Sequence, residues 1–278
     1  MNEIIMDSIS ISEERFLQTY RQAVGEIVGL IPPDLSAIAK HNLGWGSGGF
    51  EKYLRDSEVR YIRALRAIRG AGGNRILDVG GFLAAFPLAL QRCGFQVSIA
   101  EKFGYYGGAL DPIANSLRRN GIEVIDADFT DDSTDLAEVH ERFDCATCMA
   151  VAEHLAHTPR PLLENIRSAL RPSGHLVFEV PNLAFWPRRF SFFFRGNTVL
   201  SPIEHVYHSA IPFTGHHREY TLADARYVIN EADFSIVSEE TFNYSIDTTS
   251  PLQVLKYLPA FLLKEWGELI MLDCRKNV

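Results

Sequence analysis

The chain has 278 residues, of which 46% are hydrophobic and 22% are charged, so it can bury a sizeable core as one large domain or as one domain with an extension. Its formal net charge of -8 argues against a polyanionic partner, because nucleic-acid-binding proteins usually carry a basic surplus or a basic stripe. We therefore expect no nucleic-acid partner.

The N-terminal segment MNEIIMDSISISEERF carries acids where a secretory signal carries positive charge, and no apolar run reaches the length of a membrane span. We therefore expect a cytoplasmic protein, in which the four cysteines stay reduced. Cys145 and Cys148 lie three positions apart in an apolar run typical of a strand, so their side chains point to opposite faces. This spacing predicts buried thiols rather than a metal or redox pair.

Two helices are predicted in a helical N-terminal extension, residues 1–73. Ser10 and Glu13 have capping-box spacing for the first helix, which Pro32-Pro33 ends, and the second is predicted from Phe50 to Ile68. Between them, HNLGWGSGG (41–49) is either a flap over a ligand or a turn with Trp45 as an aromatic plug. Most arginines of the second helix are expected on a solvated face, with one of them able to reach an anionic group of a cofactor: Arg55, Arg60, Arg63, Arg66 and Arg69.

From residue 74 onward, strand patterns alternate with helical ones. The predicted strands are RILDVG (75–80), QVSIAE (96–101), IEVIDAD (122–128), FDCATCMA (143–150), GHLVFEV (174–180), FSIVSEE (234–240) and LIMLDCRK (269–276). This alternation predicts an α/β fold with a doubly wound, mostly parallel, seven-stranded, Rossmann-like sheet in a domain spanning 74–278, with an insertion or lid at about 183–219. Ligands of such sheets bind beyond the carboxyl ends of the strands.

Acids follow three successive strands of this predicted sheet. Asp78 and Gly80-Gly81 end the first strand, Glu101 ends the second, and Asp128 with Phe129 ends the third. An acid at the position of Glu101 can accept both hydroxyls of a ribose, and Asp128 can accept an exocyclic amine beside an apolar ring. Together these residues predict a nucleoside site.

The turn after the first strand argues against a dinucleotide. The dinucleotide pattern has glycines at its first, third and sixth positions, which here hold Gly80, Phe82 and Ala85. Without glycines at the third and sixth positions, the backbone could not come close to a pyrophosphate at these two points. A phosphate-free cofactor with a cationic amino-acid end suits an acidic turn. A nicotinamide oxidoreductase is therefore not expected.

At this point the chain resembles the class I S-adenosylmethionine-dependent methyltransferases, over about residues 75 to 278. The segments that carry the resemblance are ILDVGG, DADF, the fourth-strand region FDCATCMAVAEHL with its Glu-His pair, LRPSGHL, and REYT with the helix and strand after it. The resemblance implies S-adenosylmethionine as the cofactor. Phe82 and Ala84 replace the second and third glycines that are usual in this family.

Carried over by position, the resemblance assigns the cofactor-binding residues. Asp78, Gly80 and Gly81 would lie at the methionine part, and Glu101 would bind the ribose diol. The adenine would be held by Asp128 and Phe129, and Met149 would line the methyl-transfer channel. Some relatives that act on quinone precursors use a further acid ahead of Glu-His as a metal ligand, but Ala150 stands there. We therefore expect no required metal.

A hydroxyl acceptor needs a base, and histidine is the usual one near neutral pH. The candidates are His154 and the group His205, His208, His216 and His217. We favour His154 and His216, since both match recurrent positions in the family's pattern; the alternative for each is a structural histidine that bonds a loop carbonyl. Thr221 and Asp224 are predicted to cap a helix.

The segment LAFWPRRFSFFFRGN combines aromatic side chains with arginines around residues 185–195. It forms either a lid packed on the sheet and the N-terminal helices or a peripheral contact with a membrane or a lipid-linked substrate. The segment also resembles methyltransferases of glycan pathways. The predicted function is O-methylation of a sugar, a glycan precursor or another small metabolite; the alternatives are N-methylation of a small-molecule amine and a non-catalytic partner protein with the same fold.

Overall fold

The computed structural model describes residues 11–32, 47–196, 203–209, 213, 215–246 and 249–278. The strands are β1 (Arg75–Val79), β2 (Gln96–Ala100), β3 (Glu123–Ile125), β4 (Phe143–Met149), β5 (Leu170–Pro181), β6 (Phe234–Phe242) and β7 (Leu269–Lys276). The helices before β4 are α1 (Glu13–Leu30), α2 (Ser47–Asp56), α3 (Glu58–Ala71), α4 (Ala85–Arg92) and α5 (Asp111–Arg119). Those after β4 are α6 (Arg160–Ala169), α7 (Trp186–Arg195), α8 (Ile203–Tyr207), α9 (Leu222–Glu231), α10 (Pro251–Lys256) and α11 (Leu258–Leu262).

The strands form one seven-stranded sheet of order β3-β2-β1-β4-β5-β7-β6. β1 to β5 pair in parallel, and β7 runs antiparallel to both β5 and β6. The predicted fold class is therefore confirmed. The chain order reverses between β1 and β4, so a ligand is expected beyond the carboxyl ends of these two strands.

The sheet separates two hydrophobic clusters. One contains side chains of α1 to α5 and the other those of α6 and α9. Cys145 belongs to the first cluster and Cys148 to the second. Side chains along a strand alternate between its two faces, so residues three positions apart face opposite sides. All four cysteines are free and buried, as predicted.

The N-terminal helices differ in detail from the prediction. The Oγ of Ser12 accepts from the Arg15 N–H at 3.2 Å and caps α1; Ser10 lies outside the described residues. The predicted second helix is two helices, α2 and α3, divided at Ser57, whose Oγ donates to the Tyr53 carbonyl at 2.8 Å. The backbone hydrogen bonds from the Ser57 N–H to the Tyr53 carbonyl and from the Tyr61 N–H to the Ser57 carbonyl continue across this point, at 3.0 and 3.1 Å. Trp45 and the loop before α2 also lie outside the described residues.

Helices α1 to α3 pack on the sheet through α4. Phe16 of α1 and Tyr61 of α3 both contact the Phe86 ring, at centroid distances of 6.1 and 4.5 Å. The hydroxyl of Tyr20 donates to the Leu54 carbonyl at 2.6 Å. The extension thus shares its core with the sheet, and this places α2 and α3 beside the carboxyl ends of the strands.

Helices α7, α8, α10 and α11 were not predicted individually. Three of them begin with proline at their first or second position, which favours helix initiation without requiring an amphipathic pattern. Within the described ranges, no helix has both the length and the apolar character needed to cross a bilayer.

Candidate active site

A cavity of about 650 Å³ opens at the carboxyl ends of the parallel strands. Its walls come from the turn after β1, the ends of β2, β4 and β5, the helices α2 and α3, and the loop before α9. Seven of the nine predicted site residues line it: Asp78, Gly80, Gly81, Glu101, Met149, His154 and His216. This size suits a small-molecule ligand.

The turn after β1 requires its two glycines. Gly80 has a φ of +73°, and a Cβ there would lie 2.5 Å from a methyl group of Val151. A Cβ on Gly81 would collide with the Asp78 carboxylate and lie 2.7 Å from Ile99 Cδ1. The backbone of this turn is therefore held close to its neighbours, and it forms one wall of the cavity.

Phe82 and Ala84 take the backbone conformation of the glycines that they replace. Their φ angles are 45° and 58°, in the left-handed region that costs most residues about 1–2 kcal/mol. The Phe82 ring packs between Phe50 and Tyr106, at centroid distances of 6.0 and 5.7 Å. Phe82 thus adds an aromatic wall to the cavity while keeping the turn.

Glu101 is fixed by two backbone donors. Its Oε2 accepts from the Phe82 N–H at 2.9 Å and its Oε1 from the Lys102 N–H at 3.0 Å. Burial raises the pKa of Glu101 to about 7. Asp78 accepts from the Thr147 hydroxyl, and burial raises its pKa to about 6. A cationic ligand in this cavity would favour the ionised form of both acids and lower their pKa values.

Asp128 and Phe129 lie outside the lining, next to Thr130, which is part of it. The Asp128 Oδ1 accepts from the N–H and the hydroxyl of Thr130 at 2.9 and 2.6 Å, and Lys102 Nζ lies 3.3 Å from Oδ2. The Phe129 ring is buried in the second hydrophobic cluster, which also contains side chains of α6 and α9. The predicted contact of these residues with adenine stays a prediction.

His154 and His216 come together from different loops. Their rings meet edge to face, with centroids 4.8 Å apart. His216 Nδ1 lies 2.7 Å from Oε1 of Glu219, whose carboxylate also contacts the Arg188 guanidinium. An ionised carboxylate can only accept, so it holds the His216 proton on Nδ1 and leaves Nε2 as an acceptor.

The pKa of His216 is lowered, mainly by burial and then by the neighbouring His154 and Arg188. Burial thus keeps the ring neutral at pH 7 and also weakens it as a base, so uptake of a proton depends on the charge of the Glu219 carboxylate beside it. Glu219 is 3% exposed, so its carboxylate would stabilise the imidazolium in a region of low dielectric.

Glu153, next to His154, has an unusual environment. Its side chain is fully buried, and neither carboxyl oxygen has a hydrogen-bond partner among the described residues. Burial raises the pKa of Glu153 to about 8. Its backbone carbonyl accepts from the N–H of His217 at 2.7 Å, which ties the loop after β4 to the loop before α9.

Glu153, His154 and His216 place one potential ligand atom each within 4.8 Å of one another. Histidine nitrogen and carboxylate oxygen are ordinary metal ligands, so this group has the composition to hold a cation. The expectation of no required metal stays a prediction.

The other histidine candidates have plainer surroundings. The His217 Nε2 lies 2.9 Å from the Phe213 carbonyl, as expected of a structural histidine, although His217 also lines the cavity. His208 is exposed, and the side chain of His205 lies outside the described residues. Thr221 and Asp224 form the predicted capping box of α9.

Arg60 does not lie on the solvated face expected for the arginines of its helix. It is 2% exposed, and its Nε and Nη2 donate to the Glu179 carboxylate of β5 at 2.7 and 2.9 Å. Its guanidinium lies 5.7, 5.8 and 5.6 Å from the ring centroids of Tyr53, Tyr61 and Tyr244. The expectation of a solvated face is for most of these arginines, and Arg60 is an exception because α3 turns this position toward the end of β5, where Arg60 and Glu179 are buried together.

Sequence reasoning missed Glu219 and Glu179 as parts of the site. It named Arg60 only as one of five arginines, without its partner, and it named Glu153 only as part of the Glu-His motif. Glu219 lies three positions after His216, a spacing that could have suggested a carboxylate–histidine pair. For Arg60 and Glu179, which are 119 positions apart, the sequence contains no local signal.

The sheet order with an antiparallel β7, together with an acidic cavity at the switch point, is the architecture of class I S-adenosylmethionine-dependent methyltransferases. The chain belongs to the methyltransferase domain family, whose model matches residues 50–239. The predicted class of enzyme and the predicted cofactor are thereby confirmed.

Solved structures show the same fold. An S-adenosylmethionine-dependent methyltransferase from Mesorhizobium loti is 17% identical, with 80% of this chain and 98% of that chain covered and a TM-score of 0.52. One from Archaeoglobus fulgidus is 15% identical, with 81% and 94% covered and a TM-score of 0.51. A possible histamine N-methyltransferase from Thermotoga maritima is 14% identical, with 86% and 98% covered and a TM-score of 0.52. No curated protein matches the sequence.

Proposed function

We propose that this enzyme transfers a methyl group from S-adenosylmethionine to a hydroxyl oxygen of a sugar, a glycan precursor or another small metabolite. The observation that carries the proposal is the neutral His216 ring at the cavity wall, whose Nδ1 is engaged by the buried Glu219. A neutral imidazole held in one tautomer suits removal of a hydroxyl proton.

The cavity residues fit the cofactor. The close-packed Gly80-Gly81 backbone leaves room beside Asp78 for a cationic amino-acid end, and Glu101 offers its carboxylate to the ribose diol. Bound there, S-adenosylmethionine supplies a methyl carbon activated by the sulfonium. Met149, at the end of β4, lines the wall between these acids and the histidines. Asp128 and Phe129 are proposed for the adenine end.

The chain's own residues have two tasks in the transfer. His216 takes the hydroxyl proton on Nε2 as the acceptor oxygen forms its new bond, and Glu219 stabilises the resulting imidazolium. His154 packs against the His216 ring and helps to orient the acceptor. Tyr53, Tyr61 and Tyr244, which surround Arg60, also line the cavity and exclude water. Positioning of this kind supplies about 7–11 kcal/mol of a barrier.

Cofactor affinity is expected to depend on pH through Glu101. Since the pKa of its carboxyl is about 7 in the free protein, the ionised fraction rises with pH, and the charged form binds the cofactor. We expect the Kd for S-adenosylhomocysteine to fall about fivefold from pH 6 to pH 7. Asp78, with a pKa of about 6, acts in the same direction. Calorimetric titration measures this slope, and a Glu101→Gln variant that kept it would contradict the assignment.

The proposed reaction is tested in two steps. Calorimetry should detect binding of S-adenosylhomocysteine, and its absence would favour a non-catalytic partner protein. Mass spectrometry of metabolites and glycans from cells with and without the gene should then show a missing O-methyl group. A missing N-methyl group would favour an amine acceptor instead. Activity on the identified acceptor should survive a metal chelator, because a sulfonium methyl group needs no Lewis acid.

A further inference from the structure

One face of the molecule concentrates its exposed apolar side chains. Among the described residues, thirteen of the eighteen exposed large hydrophobic side chains fall in the two segments 190–207 and 252–263. The most exposed on α7, α10 and α11 are Phe193 (80%), Phe194 (65%), Leu252 (80%), Leu255 (68%) and Leu262 (71%). No α7 side chain is buried. Singly exposed hydrophobic residues are ordinary, but a contiguous group of this size marks an interaction surface.

Two contacts make α7 and α10 neighbours. The Trp186 ring stacks on Trp266 with a centroid distance of 5.1 Å, and its Nε1–H donates to the Lys256 carbonyl at 3.3 Å. α11 lies between Lys256 and Trp266 in the chain. The segments 186–196 and 251–264 therefore form one continuous surface, which we call the α7–α11 face.

The charge of this face is opposite to that of the whole chain. Segment 186–196 contains three arginines and segment 251–264 two lysines, and neither contains an aspartate or a glutamate. The chain as a whole has a formal net charge of -8. Arg188 pairs with Glu219 and Lys264 with Glu239, so the charge that this face offers comes mainly from Arg195 and Lys256, which lie at the ends of α7 and α10. Basic side chains around aromatic and leucine side chains are typical of surfaces that lie in a membrane interface.

We propose that the α7–α11 face binds the anionic surface of a lipid bilayer. The phenylalanine and leucine side chains insert among the headgroups, and Arg195 and Lys256 contact lipid phosphates. A second copy of the chain fits less well, because a two-fold contact would bring two basic faces together. Arg188 of α7 contacts Glu219, and Glu219 also contacts His216. Glu219 therefore links the proposed membrane-binding helix to the proposed base.

Vesicle flotation tests this proposal with the full chain. The wild-type protein should float with vesicles made of equal parts of phosphatidylcholine and phosphatidylglycerol. With vesicles of phosphatidylcholine alone, it should remain in the bottom fraction. Phe193→Ser with Leu255→Ser should weaken binding at least tenfold, since each removes a side chain that inserts. Arg195→Gln and Lys256→Gln should each weaken it about fivefold, and high salt should act in the same direction.

The matched controls are Tyr227→Ser and Val237→Ser, which are 65% and 56% exposed on α9 and β6, outside the face. They should bind vesicles as the wild type does. Because all these side chains are exposed, thermal melting should show every variant folded. A wild-type protein that floats with neither vesicle would overturn the proposal. So would face variants that float normally, or a concentration-dependent dimer that Phe193→Ser abolishes.

Discussion

His216→Ala is expected to lower kcat by about a hundredfold to ten-thousandfold, the range that a positioned general base contributes. The Kd for S-adenosylhomocysteine should change little, because the proposal assigns His216 to the acceptor hydroxyl and Glu101 to the cofactor. Single-turnover kinetics with the identified acceptor, together with calorimetry, separates these two quantities. His154→Ala should slow transfer by less if His154 orients the acceptor.

Two further variants sharpen this prediction. Glu219→Gln keeps the shape of the side chain but removes the charge that stabilises the imidazolium, so it should also lower kcat and shift the pH profile of kcat. His217→Ala is the matched control, since His217 lines the same cavity but its ring contacts Phe213, through the Phe213 carbonyl and the Phe213 ring. Normal turnover in both His154→Ala and His216→Ala would exclude these histidines as bases.

Arg60→Ala is expected to lower the free energy of unfolding by about 3–5 kcal/mol, because it leaves the Glu179 carboxylate buried without its partner. The side chains of the pair are 3% and 0% exposed, so water cannot replace the guanidinium. Urea denaturation measures the change. The double variant Arg60→Met, Glu179→Leu should recover most of the loss, since it removes both charges and keeps the volume.

A neighbouring arginine on the same helix provides the control. Arg66 pairs with Glu13 at 2.7 Å, but its side chain is 55% exposed. Arg66→Ala should therefore cost less than about 1 kcal/mol. Equal losses in Arg60→Ala and Arg66→Ala would mean that burial does not set the strength of the Arg60 pair.

The sequence by itself identified most of the sheet. β7 was predicted at its observed bounds, and β1, β2 and β4 to within one residue, because buried strands appear as short β-branched and apolar runs between turn signals. The faces of Cys145 and Cys148 and the capping box of Thr221 followed from spacing alone. β5 begins four residues earlier than predicted, since Leu170 pairs with Phe143 before a shift in register. Cross-strand pairing of this kind is not visible in a local pattern.

Two of the acids that line the cavity were also predicted from the sequence. In a doubly wound sheet, residues that end successive parallel strands meet at one edge, so Asp78 and Glu101 could be placed together without coordinates. The acceptor side was visible only in part. His154 and His216 were favoured through the family pattern, but neither their contact nor the role of Glu219 followed from spacing.

Local sequence thus determined which residues form strands, which face of each strand is buried, and which acids end the strands. These features depend on patterns of apolar and polar residues that repeat every few positions. Tertiary structure decided which side chains, far apart in the sequence, are buried next to each other. Arg60 meets Glu179, and the loops after β4 and before α9 bring His154 against His216. It also gave Phe82 a left-handed backbone between two aromatic rings. Such pairings depend on the order of strands and on burial, which no short segment of the chain encodes.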